Sequence, residues 1–252
     1  MSVELTLDVQ QRGALLVHAA TSFLALGVDA FFTDRSGGVS AGPYASLNLA
    51  LHVGDDQRDV QENRRRVACA MGAELDDVRF VNQVHGSRVL DALRADESSA
   101  ADAIFCSSSR FALAILVADC VPILLADETN VAVVHAGWRG LRDNVIGNAL
   151  STFADPVRVH ALLGPSISHT RYQVGREVAT FFRDVPGALV DDVRDRFLLD
   201  LREVAAHQLR TRGLPDAHVF KAAACTDEGV TFFSDRAQRP CGRFALVAKR
   251  SS

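Results

Sequence analysis

Apolar positions in the first half of the chain fall in short continuous runs, not at helical spacing. Residues 14–19 and 28–33 are such runs, rich in aromatic or β-branched side chains, and predict strands. Residues 111–118, 121–126 and 131–135 are more apolar still and predict buried strands, with the break at Asp119-Cys120. Residues 78–84 and 88–93 predict a strand pair around His85-Gly86, and 159–163, 230–234 and 243–248 predict further strands. Helical spacing appears after Asp56, where Val60, Val67 and Met71 share a face and Gly72 stops the run. It recurs over 140–153 and 175–182, and again after Asp200. There the Asp200/Glu203 pair caps a face of Leu201, Val204, Ala205 and Leu209 that runs up to Gly213. Strands and helices mix without strict alternation, which predicts an α+β fold of packed sheets with helices outside. No repeat and no domain boundary is visible, so residues 1–252 read as one domain.

Composition narrows the function classes. The 252 residues are 48% hydrophobic and 23% charged, enough for a sizeable core. The net charge of −4 argues against a broad surface for nucleic acid. Asp119 and Pro122 interrupt the longest apolar stretch, so no membrane span is expected. The opening residues carry Glu4 and Asp8 and lack the pattern of a secretory signal, so a cytoplasmic protein is expected. Five cysteines without a C-x-x-C do not suggest a disulfide framework. A monomer is the default expectation, with a homodimer as the alternative.

Three metal-competent side chains stand at the ends of apolar runs: His85, Cys120 and His135. Two imidazoles and a thiolate suit zinc with one coordination place open. The same atoms suit a metal-free alternative, with Cys120 as nucleophile and a histidine as base. They also suit ordinary structural roles, since their separation in the chain follows no zinc-finger spacing. Asp119 is expected on the opposite side of its strand from Cys120, where it would hold a loop or a histidine instead of completing a triad. Residues 34–46, with three glycines and a proline, predict a long functional loop carrying Arg35. Arg139 and Arg142, after Gly137-Trp138, are candidate anion ligands. Arg64, Arg65 and Arg66 splay around their helix and read as a solvated face. Asp235 and Arg236 suggest a structural ion pair.

These segments together resemble the YfiH-type family, known under the names purine nucleoside phosphorylase and polyphenol oxidase (laccase). The stretches that carry the likeness include F-F-T-D-R-S-G-G-V-S, N-Q-V-H-G, A-D-A-I-F, V-A-D-C-V-P, H-A-G-W-R-G, L-G-P-S-I and F-F-S-D-R. The resemblance implies a four-layer α/β/β/α sandwich of the CNF/YfiH-like kind and zinc ligated by His85, Cys120 and His135. It implies phosphorolysis of adenosine, inosine and methylthioadenosine as catalytic activity, adenosine deamination as a second reaction, and a role in purine salvage. Purine nucleoside and phosphate would be the partners. Arg35, Asn48, Arg139 and Arg236 are the expected phosphate or sugar contacts, chosen for side-chain chemistry and loop position.

The oxidase name fits less well. Eight histidines contain no H-x-H pair, and Met1 and Met71 are the two methionines. One His-Cys-His site has the donors for a copper ion but not for a four-copper oxidase. The chain also departs from the resemblance near its end. F-F-S-D-R-A replaces an aromatic or histidine followed by two arginines, and the added Asp235 is expected to oppose an anion nearby. Cys241 stands where a small residue is usual.

Overall fold

The computed structural model describes residues 3–227 and 229–251. Two sheets dominate it. The first has seven strands in the spatial order Val3–Leu5, Val219–Ala222, His160–Leu163, Val121–Ala126, Val131–Ala136, Ala103–Cys106 and Val89–Asp91. The second has six, in the order Asp8–Arg12, Leu15–Ala19, Val28–Thr33, Phe244–Arg250, Ala112–Val117 and Val78–Arg79. A small sheet of Gln173–Gly175, Arg196–Leu199 and Leu189–Asp191 lies apart from both.

The strand alternation explains the layering. In 121–126, Ile123 and Leu125 face one core, while Leu124 and Ala126 face another. The first core is closed by Leu141, Ile146, Ala149, Val204 and Leu209, from the helices Trp138–Arg142, Val145–Leu150 and Leu201–Thr211. The second lies between the two sheets, where Leu124 and Val133 meet Phe32, Ile115, Phe244 and Leu246. The outer face of the six-stranded sheet packs Val17, Phe31 and Val247 against Val67, Ala68 and Met71 at the end of helix Gln57–Ala70. The order is helix, sheet, sheet, helix, the four-layer sandwich that the resemblance implies. Strands covered on both faces read as unbroken apolar runs, which is why the central ones were plain in the sequence.

Caps form where expected. The Asp56 side chain accepts from the Arg58 N–H, and Asp200 accepts from the Glu203 N–H at 2.9 Å. Three expectations fail. Val78–Arg79 and Val89–Asp91 do not pair, because each joins a different sheet and the chain between them crosses the gap. Residues 230–234 form no strand, and their polar groups serve loop contacts instead. The expected helix over 140–153 is two short helices, divided by Asn144 in the left-handed region at φ 70°. The chain also begins with two edge strands, Val3–Leu5 and Asp8–Arg12, which polar side chains had concealed.

Candidate metal and anion site

Strands from both sheets end at one cavity of about 500 Å³, within the size usual for small-molecule sites. His135 closes the 131–136 strand, and Cys120 sits in the turn joining 112–117 to 121–126. His85 lies in the crossing between the sheets. Their ligand atoms all lie within 4.8 Å of one another. The two rings stand edge to face, with centroids 4.7 Å apart at 80°.

Asp102 organises this cluster from behind and is fully buried. Its Oδ1 lies 2.8 Å from His135 Nδ1 and accepts the His85 N–H at 2.9 Å. Its Oδ2 accepts the Gly86 N–H at 2.7 Å. These backbone bonds hold His85 at φ 59°, a left-handed conformation that a histidine seldom adopts. Burial works against the Asp102 charge. The hydrogen bond and charge of His135, with the two backbone donors, nonetheless hold the carboxyl below its usual range. An ionised carboxylate only accepts, so His135 Nδ1 carries the proton and Nε2 is left free for a ligand.

Burial alone would raise the Cys120 thiol. The His135 charge, and hydrogen bonds from His135 and His85, overcome it and bring the thiol down to about 6. His135 moves the other way, to about 9. Burial opposes the imidazolium, but the Cys120 thiolate and Asp102 outweigh it. The metal-free cluster is therefore a thiolate beside an imidazolium. Gly137 leaves room for the group. A Cβ there would lie 2.9 Å from Cys120 Sγ and 3.2 Å from a His85 ring carbon. Two imidazoles, one thiolate and an oriented second ring nitrogen fit a single zinc or copper ion.

Asp119 sits at φ 91° and turns away from the cluster. It accepts from Thr226 Oγ1 at 2.6 Å, Ser234 Oγ at 2.7 Å and the Arg236 N–H at 2.7 Å. It therefore pins the 226–236 segment beside the cavity, the loop-holding role expected of it.

Five arginines line the cavity: Arg64, Arg139, Arg236, Arg239 and Arg243. Arg139 lies over the Trp138 ring at 4.3 Å, and Arg236 lies over Tyr172 at 5.3 Å. Both guanidiniums stand at the cavity without a carboxylate partner among the described residues. Arg64 corrects the reading of 64–66 as a solvated face. Its side chain is buried, donates from Nε to the Leu49 carbonyl at 2.9 Å, pairs with Glu97, and covers Phe80 at 4.2 Å. Arg65 alone of the three is largely exposed. Asp235 does not pair with Arg236, as had been expected. It holds Arg239 and Arg243, whose side chains return toward it.

Two expected contacts lie elsewhere. Arg35 gives its Nε to the Ala45 carbonyl at 3.0 Å and another nitrogen to Gly229 O, and it covers Phe233. Asn48 is fully buried; it bonds Ala50 both ways, donates to Asp55, and accepts the Arg243 N–H at 2.9 Å. Both staple loops behind the cavity and neither lines it.

Four lining or supporting groups are not among the sequence-derived candidates. Asp102 lies within A-D-A-I-F, where an acid heading an apolar strand is its one signal. Tyr172 lines the cavity, and burial first, with the Cys120 charge, pushes its hydroxyl up to about 12. Trp138 and Asn82 line it too, and the Asn82 carboxamide has no partner among the described residues. The neighbouring Gln83 is spent on both backbone groups of Leu116, at 2.7 and 2.8 Å.

Residues 29–251 match the family described as multi-copper polyphenol oxidoreductase laccase. A Corynebacterium glutamicum protein named purine nucleoside phosphorylase is 37% identical over 230 residues, which cover 86% of this chain and 92% of that one. The Escherichia coli purine nucleoside phosphorylase YfiH is 38% identical over 227 residues, covering 87% and 92%. Among solved structures, YlmD from Geobacillus stearothermophilus superposes with a TM-score of 0.89 at 30% identity, covering 97% and 99%. The Neisseria meningitidis protein NMB0706 does so with a TM-score of 0.84 at 36% identity, covering 90% and 95%.

Proposed function

The chain belongs to the family described as multi-copper polyphenol oxidoreductase laccase, and from that premise we propose that it is a metal-dependent purine nucleoside phosphorylase. Zinc is the expected ion, and adenosine, inosine and methylthioadenosine are the expected substrates, with adenosine deamination as a side reaction. The observation that carries the reading is the convergence of His85, Cys120 and His135 at a cavity lined by arginines. The relatives named purine nucleoside phosphorylase, at 37–38% identity, support the reaction class.

Phosphorolysis breaks the bond between the sugar C1′ and the purine nitrogen and forms a bond from C1′ to a phosphate oxygen. Negative charge leaves on the base, and the phosphate must be held against C1′. Arg139 and Arg236 would hold the phosphate, with buried Arg64 lining the same cavity. Arg35 and Asn48 act by fixing the loops around it. Trp138 and Tyr172 line the cavity beside the purine, each with an arginine over its ring. The Tyr172 hydroxyl keeps its proton at neutral pH, and with the Asn82 carboxamide it offers donors to the departing base. A divalent ion held by His85, Cys120 and His135 would supply fixed positive charge for an oxygen of sugar or phosphate. Asp102 keeps His135 in the tautomer that such an ion needs.

The test is incubation of the purified protein with adenosine and phosphate. The expected products are adenine and ribose 1-phosphate, in a yield that depends on phosphate and is lost in His135→Ala. Absence of sugar phosphate from each of the three nucleosides overturns the reading. A second reading is favoured by the Cys120–His135–Asp102 alignment, which has the order of a nucleophile, base and orienting acid. It makes the protein a metal-free hydrolase. Rapid alkylation of Cys120 in wild-type protein free of metal would select it.

A further inference from the structure

Three carboxylates and five arginines at the cavity divide unevenly. Glu97 holds Arg64, Asp235 holds both Arg239 and Arg243, and Asp119 is spent on Thr226, Ser234 and the Arg236 main chain, which leaves the Arg139 and Arg236 guanidiniums without an acid among the described residues. The two arginines on Asp235 are not alike. Arg243 is anchored by its own loop, donating from Nη1 to the Cys241 carbonyl at 3.1 Å and the Gly242 carbonyl at 3.0 Å. Only its Nη2 turns to Asp235 Oδ1, at 3.3 Å. Arg239 is 75% exposed at its side chain and turns to Asp235, from Nε to Oδ2 at 2.7 Å and to the backbone carbonyl at 3.1 Å, with Nη2 beside the same Oδ2. One half-buried carboxylate thus engages a donor edge of two cavity arginines at once.

We infer that Asp235 sets the phosphate affinity of the site by occupying Arg239 and Arg243 in place of the anion, a role that rests on the phosphorylase reading. A phosphate held by Arg139 and Arg236 meets a second pair of guanidiniums whose two charges one carboxylate already offsets in part. It must compete with Asp235 for them, or bind without them. Asp235 is a positioning residue: it acts through the two arginines and not on the nucleoside. The consequence is weak phosphate binding, so that turnover follows the phosphate concentration instead of saturating early. The arrangement also limits capture of other anions by a cavity that carries five guanidiniums.

The experiment is calorimetric titration of the metal-loaded protein with inorganic phosphate, for wild type, Asp235→Asn and Asp235→Glu. Asparagine keeps the shape and removes the charge, which frees both arginines. Asp235→Asn is expected to bind phosphate 5- to 10-fold more tightly, with a matching fall in the KM for phosphate and kcat within twofold. Asp235→Glu is expected to restore the weaker binding. Should Asp235→Asn fail to fold, Asp235→Ser carries the same test. Equal or weaker phosphate binding in the uncharged variant, beside measurable binding in wild type, overturns the inference and leaves the phosphorylase reading standing. No phosphate binding in any of the proteins overturns both.

Discussion

His135 Nδ1 and the Asp102 carboxylate lie 2.8 Å apart, and the same carboxylate accepts the backbone N–H groups of His85 and Gly86. One buried acid therefore orients two of the three candidate ligands, one through its ring and the other through its main chain. Asp102→Asn keeps the volume but offers a donor where acceptors are needed. It is expected to weaken metal retention 10- to 100-fold, the usual cost of losing a partner behind a ligating histidine. Competition with a chromogenic chelator measures it. Wild-type retention in the variant would show that Asp102 serves the fold alone.

Gly137 tests the space around the cluster. A methyl group there meets Cys120 Sγ at 2.9 Å and the His85 ring at 3.2 Å. Gly137→Ala is expected to lower metal content at least tenfold while the circular dichroism spectrum keeps its native form. Full metal content would mean that the ligands have more room than the geometry gives them.

Arg64 joins stability to binding. Losing its guanidinium leaves the buried Leu49 carbonyl without its donor and uncovers Phe80. Arg64→Met is expected to cost about 1–3 kcal/mol of stability, the range for leaving a buried polar group unpaired. A rise of tenfold or more in the KM for phosphate should accompany it. Chemical denaturation and steady-state kinetics separate the two effects, and an unchanged KM would remove Arg64 from the binding role.

Acid should destabilise the fold through two partly buried histidines. Burial depresses the His18 imidazole, with Asp34 opposing in part, and burial likewise depresses His160. A folded value below the ordinary 6.5 means that the unfolded chain binds protons more readily. The stability these rings contribute is full above pH 6.5 and is lost as pH falls through their folded values. Among the described residues His18 Nε2 has no hydrogen-bond partner, Asp34 Oδ2 standing off at 4.0 Å, and the ring packs on Phe232 with centroids 4.9 Å apart. In chelator-treated protein, the drop in Tm between pH 7.5 and 5.5 should shrink in His18→Phe. An equal drop would place the acid sensitivity elsewhere.

The sequence showed the central strands and the metal-competent trio because both leave local marks. The 121–126 strand is apolar on both faces, the 28–33 strand carries a run of buried apolar residues, and His85, Cys120 and His135 stand where apolar runs stop. Pairing across His85 was misread because proximity in sequence does not reveal a crossing between layers. Arg64 was legible in principle. It shares the helical stripe of Val60 and Val67, but the run of three arginines drew attention to charge over register. Arg35 and Asn48 were chosen for their chemistry, yet their bonds depend on Gly229 and Arg243, far away in the chain. Asp102 left no spacing signal, since its partner His135 is a neighbour only through strand pairing.

The claim beneath this account is that His85, Cys120 and His135 bind one ion together. Metal analysis by plasma mass spectrometry of wild type and Cys120→Ala, purified side by side, tests it most directly. Close to one zinc or copper ion per wild-type chain is expected, with the variant nearly empty. A wild-type protein without metal, or a variant that keeps its full complement, would contradict it.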